Sequence, residues 1–180
     1  MLRIATLAAL VGLCTAVASA KDDAMLKVKV GDPFPDGALA AAQIDKVKKD
    51  AKTISIADFK GKVTVIFFYP KALTKGCTIE SCGFRDIIKD FPADVVVLGA
   101  SGDDMALQQK FIDAHMLPYP LLCDTDLKLI KELGILSAGG KTPQRVTFVV
   151  GKDGNIARIY SKVDTARHPK EVLEFVKTLK

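Results

Sequence analysis

From about position 53 onward, the apolar positions fall into short runs separated by turn residues, and the rhythm of each run predicts an element. Val63-Thr64-Val65-Ile66-Phe67-Phe68 and Val95-Val96-Val97-Leu98-Gly99-Ala100 are nearly continuous apolar stretches of strand length, as buried parallel strands are. Between them the pattern lengthens to a helical one, from Cys77 to about Asp90. A second helix is expected up to His115, with Asp103 or Asp104 as its N-cap. Tyr119 to Cys123 reads as a short extended segment, and Asp126 to Leu133 as a short helix stopped by Gly134. Arg145 to Val150 and Ile156 to Tyr160 are two strands joined through Lys152-Asp153-Gly154-Asn155, where Asp-Gly is a strong hairpin turn. The last helix opens at Pro169, a favoured first helical residue, and carries Val172, Leu173, Phe175, Val176 and Leu179 on one face.

The N-terminal third has less rhythm. Residues Val30 to Gly37 are rich in Gly, Pro and Asp and read as turns. Ala38 to Asp50 is expected to form a short outer helix, Thr53 to Ile56 an alternating edge strand, and Asp58 to Lys62 a turn into the first buried strand. The β-α-β-α-β-β-α order puts parallel strands first and an antiparallel hairpin last. That order resembles the thioredoxin-like fold, an α/β class with a central mixed β-sheet flanked by helices.

The 180 residues, 49% of them hydrophobic, are enough for one domain with a sizeable core. The net charge of +5 is spread over many lysines, and the longest basic cluster, Lys46 to Lys49, is interrupted by Val47. With no tryptophan and no aromatics alternating with basic residues, no nucleic-acid partner is expected. Residues 1–20 read as an export signal. Arg3 supplies the charge, Ile4 to Val17 the apolar run, and Ala18-Ser19-Ala20 a small-x-small cleavage site. The apolar run is short for a span of about 20 residues, so removal is expected, leaving one domain at 21–180 with no stable membrane association. Cys14 follows the bulky Leu13, unlike a lipobox cysteine, and would leave with the signal. Three cysteines then remain, Cys77, Cys82 and Cys123, an odd number that a structural disulfide framework does not account for.

Cys77 has the most suggestive surroundings. It stands at the start of a predicted helix, where backbone N–H groups and the helix dipole favour a thiolate. Thr74 lies three residues before it, Pro70 seven before it, and Cys82 five after it. Thr74 can turn its hydroxyl toward the sulfur or a bound oxygen, and Pro70, rigid and without an N–H, can wall off a pocket. Glu80 is one helical turn on; its charge would oppose a thiolate, so its expected use is to orient an arginine. Arg85 is near in sequence, and Arg145 opens a strand that a thioredoxin-like sheet would bring beside the active-site turn.

Pro70, Thr74 and Cys77 match the proline-x3-threonine-x2-cysteine signature of peroxiredoxins. The text Phe67-Phe68-Tyr69-Pro70 with Gly76-Cys77-Thr78-Ile79-Glu80-Ser81-Cys82-Gly83-Phe84-Arg85-Asp86 resembles the Q type, also called the bacterioferritin-comigratory-protein type. The resemblance continues through Val97 to Ser101, Pro120 to Asp124, Arg145 to Phe148 and the C-terminal helix, roughly residues 28–180. It implies a thiol peroxidase acting on hydrogen peroxide and organic hydroperoxides. Cys77 would be the peroxidatic cysteine, Thr74 and Arg145 would hold the peroxide oxygens, and Pro70 would shield the sulfenic acid. Cys82 would be the resolving cysteine, the partner a thioredoxin-like electron donor, and the protein a monomer. No cofactor or metal is implied. In an ideal helix, residues five apart are rotated by about 140° with Cα atoms about 8.7 Å apart, whereas a disulfide needs them within about 7 Å. A Cys77–Cys82 bond therefore predicts that the helix unwinds in each cycle. The segment Ala38–Lys52 is longer than its usual Q-type counterpart, and Cys123 stands where serine is frequent; a buried small hydrophobe is the simplest reading of it.

Two rivals share the fold. An exported copper-binding chaperone of the Sco type wants C-x3-C and a distant histidine, and a thioredoxin-type thiol–disulfide oxidoreductase wants C-x-x-C. The spacing here is C-x4-C. His115, ending a helix, and His168, preceding Pro169, are expected to be structural, and Arg85 to make an ion pair at the surface or in helix packing.

Overall fold

The structure is a computed structural model that describes residues 26–179; the export signal expected over 1–20 lies outside the described residues. Six strands form one sheet in the order β1-β4-β3-β2-β5-β6. They are β1 Ala40–Ala42, β2 Val63–Phe68, β3 Val95–Ser101, β4 Leu121–Cys123, β5 Val146–Val150 and β6 Ile156–Tyr160, interleaved with α1 Lys75–Asp86, α2 Met105–His115, α3 Lys128–Leu133 and α4 His168–Val176. The pairs β2–β3 and β3–β4 are parallel; β2–β5, β5–β6 and β1–β4 are antiparallel. The mixed sheet flanked by helices is the expected thioredoxin-like arrangement.

The alternation of β2 explains the layering. Val63, Val65 and Phe67, with Tyr69 just beyond the strand, face a core shared with Phe84 of α1, Phe111 of α2 and Val172 of α4. Ile66 and Phe68 face the other core, with Phe148 of β5, Ile130 and Leu133 of α3, and Phe34 and Phe59 of the N-terminal segment. All six residues of β2 are buried, which is why it reads as a continuous apolar run. Asp104, not Asp103, caps α2, its Oδ1 accepting from the Leu107 amide at 2.8 Å.

The N-terminal segment departs from expectation. The helix expected over Ala38 to Asp50 is instead β1 followed by a 3-10 turn at Ile44–Lys46. The alanines favour a helix in isolation, but the open edge of β4 offers ladder partners, and Ala40, Ala41 and Ala42 pair with Cys123, Leu122 and Leu121. Gln43, left-handed at φ 61°, ends the strand. The edge strand expected at Thr53 to Ile56 is a single bridge, Leu39 to Ile54, followed by a 3-10 turn over Ile56–Phe59. Asp58 stabilises that turn by accepting the Ser55 amide at 2.9 Å. The helix expected to run to Asp90 stops at Asp86 and resumes as a 3-10 turn at Ile88–Asp90. Among the described residues no helix is long and apolar enough to cross a membrane.

Candidate active site

The site lies at the end of β2, where Phe68 is registered against Ala100 of β3 and Val146 of β5. The chain leaves β2 through Tyr69 and the half-buried Pro70, loops over Lys71 to Thr74 and enters α1. The loop is tied from outside: the Ala72 amide donates to Asp103 Oδ2 at 2.7 Å, and the Ser101 hydroxyl donates to the same oxygen at 2.9 Å. Leu73 is left-handed at φ 63°, a strained conformation for a branched residue, held one position before the N-cap of the helix.

Thr74 is the N-cap of α1, but its side chain caps no helix amide. Its hydroxyl donates to the Lys71 carbonyl at 2.9 Å, leaving the oxygen lone pairs as acceptors. The first intrahelical bond runs from the Thr78 amide to the Thr74 carbonyl at 2.9 Å. The amides of Lys75, Gly76 and Cys77 are therefore the orphan donors of a helix start. Cys77 is the third residue of α1 and is 1% exposed.

Arg145 immediately precedes β5. Because β5 runs antiparallel to β2, that strand start lies beside the end of β2 and hence beside the start of α1. Arg145 Nη2 donates to Cys77 Sγ at 3.3 Å, and Nη1 of the same guanidinium pairs with Glu80 Oε2. Gly76 leaves room for the approach, since a Cβ there would lie a tight 3.3 Å from Nη2. Glu80, one turn after Cys77, is fully buried, and its burial pushes the carboxyl up to about 7 against the opposing pull of Arg145. Burial works against the Arg145 charge, but the Glu80 carboxylate and the Cys77 sulfur outweigh it and hold the guanidinium above its ordinary range. The outcome is a buried sulfur held by a permanent cation in the first turn of a helix.

The structure thus brings Cys77, Arg145 and Glu80 into contact, with Pro70 and Thr74 on the loop leading to them. Cys82 lies further along the same helix, half-buried, and both cysteines are free. Tyr119 donates its hydroxyl to the Ser81 carbonyl at 2.6 Å, pinning α1 beside Cys82. Arg85 pairs with Asp86 and donates to the His115 carbonyl at 2.8 Å, the expected helix-packing role. Cys123 is buried in β4 and its thiol is pushed up to about 11 by burial, so it stays protonated. Sequence reasoning missed Asp103 as the anchor of the loop and Thr147 as a partner of His168; the signal available was the period-two relation of Thr147 to Arg145. A cavity of about 480 Å³ between residues 26–32 and β6, lined in part by Leu26, Asp32, Ile159 and Ser161, holds none of the predicted site residues. Among the described residues no group of three or more His, Cys, Asp or Glu could hold a metal.

Comparison with known proteins identifies the family. The AhpC/TSA family profile matches residues 30–159. Peroxiredoxin Bcp of Bacillus subtilis (strain 168) is 32% identical over 161 residues, covering 86% of this chain and 98% of that protein. The chloroplastic peroxiredoxin Q of Gentiana triflora is 38% identical over 133 residues, 72% of this chain and 61% of that protein. The chain spans about three fifths of the length of such chloroplastic relatives. The crystal structure of peroxidoxin BcpB from Mycobacterium tuberculosis superposes with a TM-score of 0.74 at 28% identity, over 85% of this chain and 99% of that one. The chain belongs to the AhpC/TSA family, as a peroxiredoxin of the Q and Bcp kind.

Proposed function

We propose that the protein is a thiol-dependent peroxidase that reduces hydrogen peroxide and organic hydroperoxides at Cys77. The observation that carries this reading is the 3.3 Å contact of Arg145 Nη2 with a buried sulfur in the first turn of α1. The Cys77 thiolate attacks one peroxide oxygen. An S–O bond forms, the O–O bond breaks, and the departing oxygen takes up a proton and leaves as water or an alcohol. The sulfur, oxidised by two electrons, becomes a sulfenic acid. Arg145 and the orphan amides of α1 stabilise charge on the departing oxygen, and the Thr74 oxygen accepts a hydrogen bond from the peroxide O–H, orienting it for attack. Pro70 excludes water from the sulfenic acid.

Cys82 resolves the intermediate. Its sulfur attacks the sulfenic sulfur, water leaves, and a Cys77–Cys82 disulfide forms. Both cysteines lie within the continuous helix Lys75–Asp86, so the segment between them unwinds first. The Tyr119 bond to the Ser81 carbonyl and the Glu80 pair with Arg145 break in that step. An external thioredoxin-like dithiol then supplies two electrons. If residues 1–20 direct export, that dithiol is extracytoplasmic. We read the protein as a monomer, because both cysteines of the cycle come from one helix. The copper-chaperone reading is not favoured: His168 is fully buried and faces Thr147 and Glu80.

Stopped-flow mixing of the reduced protein with hydrogen peroxide and with an organic hydroperoxide tests the reading, with mass spectrometry of the product. A Cys77–Cys82 disulfide after one equivalent is expected. Full activity in Cys77→Ser would refute the role of Cys77, and a bond to Cys123 or between chains would refute that of Cys82.

A further inference from the structure

Beneath the nucleophile lies a group of buried polar side chains that the cycle above does not use. Glu80 gives one carboxylate oxygen to Arg145, but the other, Oε1, has no hydrogen-bond partner. The polar group brought to that oxygen is His168 Nε2, 4.0 Å away. His168 opens α4 and has no exposed surface. Its Nε2 lies 2.8 Å from the Thr147 hydroxyl. Thr147 is two residues after Arg145, so the two side chains leave the chain on the same side of the sheet: Arg145 meets one oxygen of the Glu80 carboxyl, and Thr147 meets the imidazole that lies near the other.

The imidazole is held on all sides. The rings of Phe84 and Tyr160 meet it edge-on at 5.8 Å and 5.0 Å. Its amide donates to the Asp164 carbonyl at 2.8 Å. The next residue, Pro169, presses on α1 so closely that a Cβ on Gly83 would lie 2.8 Å from its ring. The titratable and charged groups around it are Glu80 from α1, Arg145 from just before β5 and Tyr160 from β6; Arg167 and Glu171, beside it on its own segment, are exposed. Burial and the Arg145 charge push His168 down to about 4, so it carries one ring proton at neutral pH. Nδ1 is buried without a partner. A proton there would be an unpaired donor, so the proton belongs on Nε2, between Thr147 and Glu80.

We propose that His168 is a positioning residue for Cys77: its Nε2–H donates to Thr147 and turns its positive end toward the free oxygen of Glu80, 4.0 Å away, and this electrostatic contact keeps the Glu80 carboxylate, and through it the Arg145 guanidinium, aimed at the sulfur. Its action reaches Cys77 through two other side chains. It assumes only that Cys77 is the reactive thiol of the proposed function.

The test uses the protein with Cys82→Ser and Cys123→Ser, compared with His168→Phe, His168→Gln and Thr147→Val added singly. Gln places an amide N–H where Nε2–H stands, whereas Phe keeps a ring and removes the donor. Two rates are read at pH 7.5: alkylation of the Cys77 peptide by iodoacetamide, followed by mass spectrometry, and reaction with hydrogen peroxide. His168→Phe is expected to slow both about tenfold, the effect of losing the imidazole dipole that faces the free Glu80 oxygen and the bond to Thr147 that aims it. His168→Gln recovers to within about twofold, and Thr147→Val falls between them, because loss of an anchor is partial loss of the donor's aim. Rescue by Gln is the signature that a packing role would not give. Unchanged rates in His168→Phe, or a Gln variant as slow as the Phe variant, overturn the proposal. If the Phe variant fails to fold, Thr147→Val decides, and an unchanged rate there overturns it equally. Alkylation needs no peroxide chemistry, so a parent protein inert to peroxide would refute the proposed function while the alkylation series still judged His168.

Discussion

Replacing Glu80 with glutamine tests the electrostatics of the site through stability. The Glu80 carboxyl rises from 4.5 to about 7 in the folded protein. A carboxyl so raised binds its proton more tightly folded than unfolded. Its contribution to stability is therefore complete below pH 4.5 and is lost as the pH rises through 7. At about 1.36 kcal/mol per tenfold change in proton affinity, this amounts to about 3 kcal/mol. His168 is displaced the other way, from 6.5 down to about 4. Its contribution is complete above pH 6.5 and is lost as the pH falls through 4, again about 3 kcal/mol. Between pH 4.5 and 6.5 the two slopes are opposite and similar, so the pair adds little net pH dependence. Glu80→Gln removes one side of that balance and exposes the other. Relative to the parent, the reduced variant is expected to lose about 3 kcal/mol of stability between pH 7.5 and pH 4.5. Urea unfolding curves of both proteins across that range measure it, since the other carboxylates are common to both and drop out of the difference. Two stability curves parallel within about 0.5 kcal/mol would refute the reasoning, because Glu80 would then titrate alike in the folded and unfolded chains.

Three further outcomes follow from the same contacts. Arg145→Met removes the donor to Cys77 and is expected to slow peroxide reduction by roughly 100- to 1000-fold in stopped-flow assays; its stability loss should grow above pH 7, where Glu80 would be charged without its counter-ion. Tyr119→Phe deletes the bond to the Ser81 carbonyl and should weaken the hold on α1 by about 1 kcal/mol, seen as faster amide exchange from Cys77 to Phe84 and faster disulfide closure. Gly83→Ala would place a Cβ 2.8 Å from the Pro169 ring, and thermal unfolding should show a loss of about 1–3 kcal/mol as α1 and α4 are forced apart.

Much of this was legible in the chain because it depends on neighbours in sequence. The Pro70–Cys82 spacing, a helix whose first turn holds Cys77, the Asp153-Gly154 hairpin and the start of α4 all follow from backbone preferences acting over a few residues. The apolar runs of β2 and β3 declared strands buried on both faces. The exceptions are instructive. Ala40 to Ala42 became a strand because β4 had an open edge, and a local propensity cannot register an edge contributed by residues 79 to 83 positions away.

What the sequence by itself determined is the set of reactive parts and their local frame: a cysteine in a helix first turn, a hydroxyl and a proline before it, a second cysteine five residues on. The tertiary structure decided how those parts are charged and held. The antiparallel register of β5 on β2 delivers Arg145 to a sulfur 68 residues earlier in the chain. The packing of α4 on α1 turns His168, which reads in sequence as a helix start, into a buried neighbour of Glu80. Burial and charge proximity are sums over everything that surrounds a group in space. Local preference places Cys77 at a helix start; only the assembled sheet and helices supply the cation, the buried carboxyl and the imidazole that act on it.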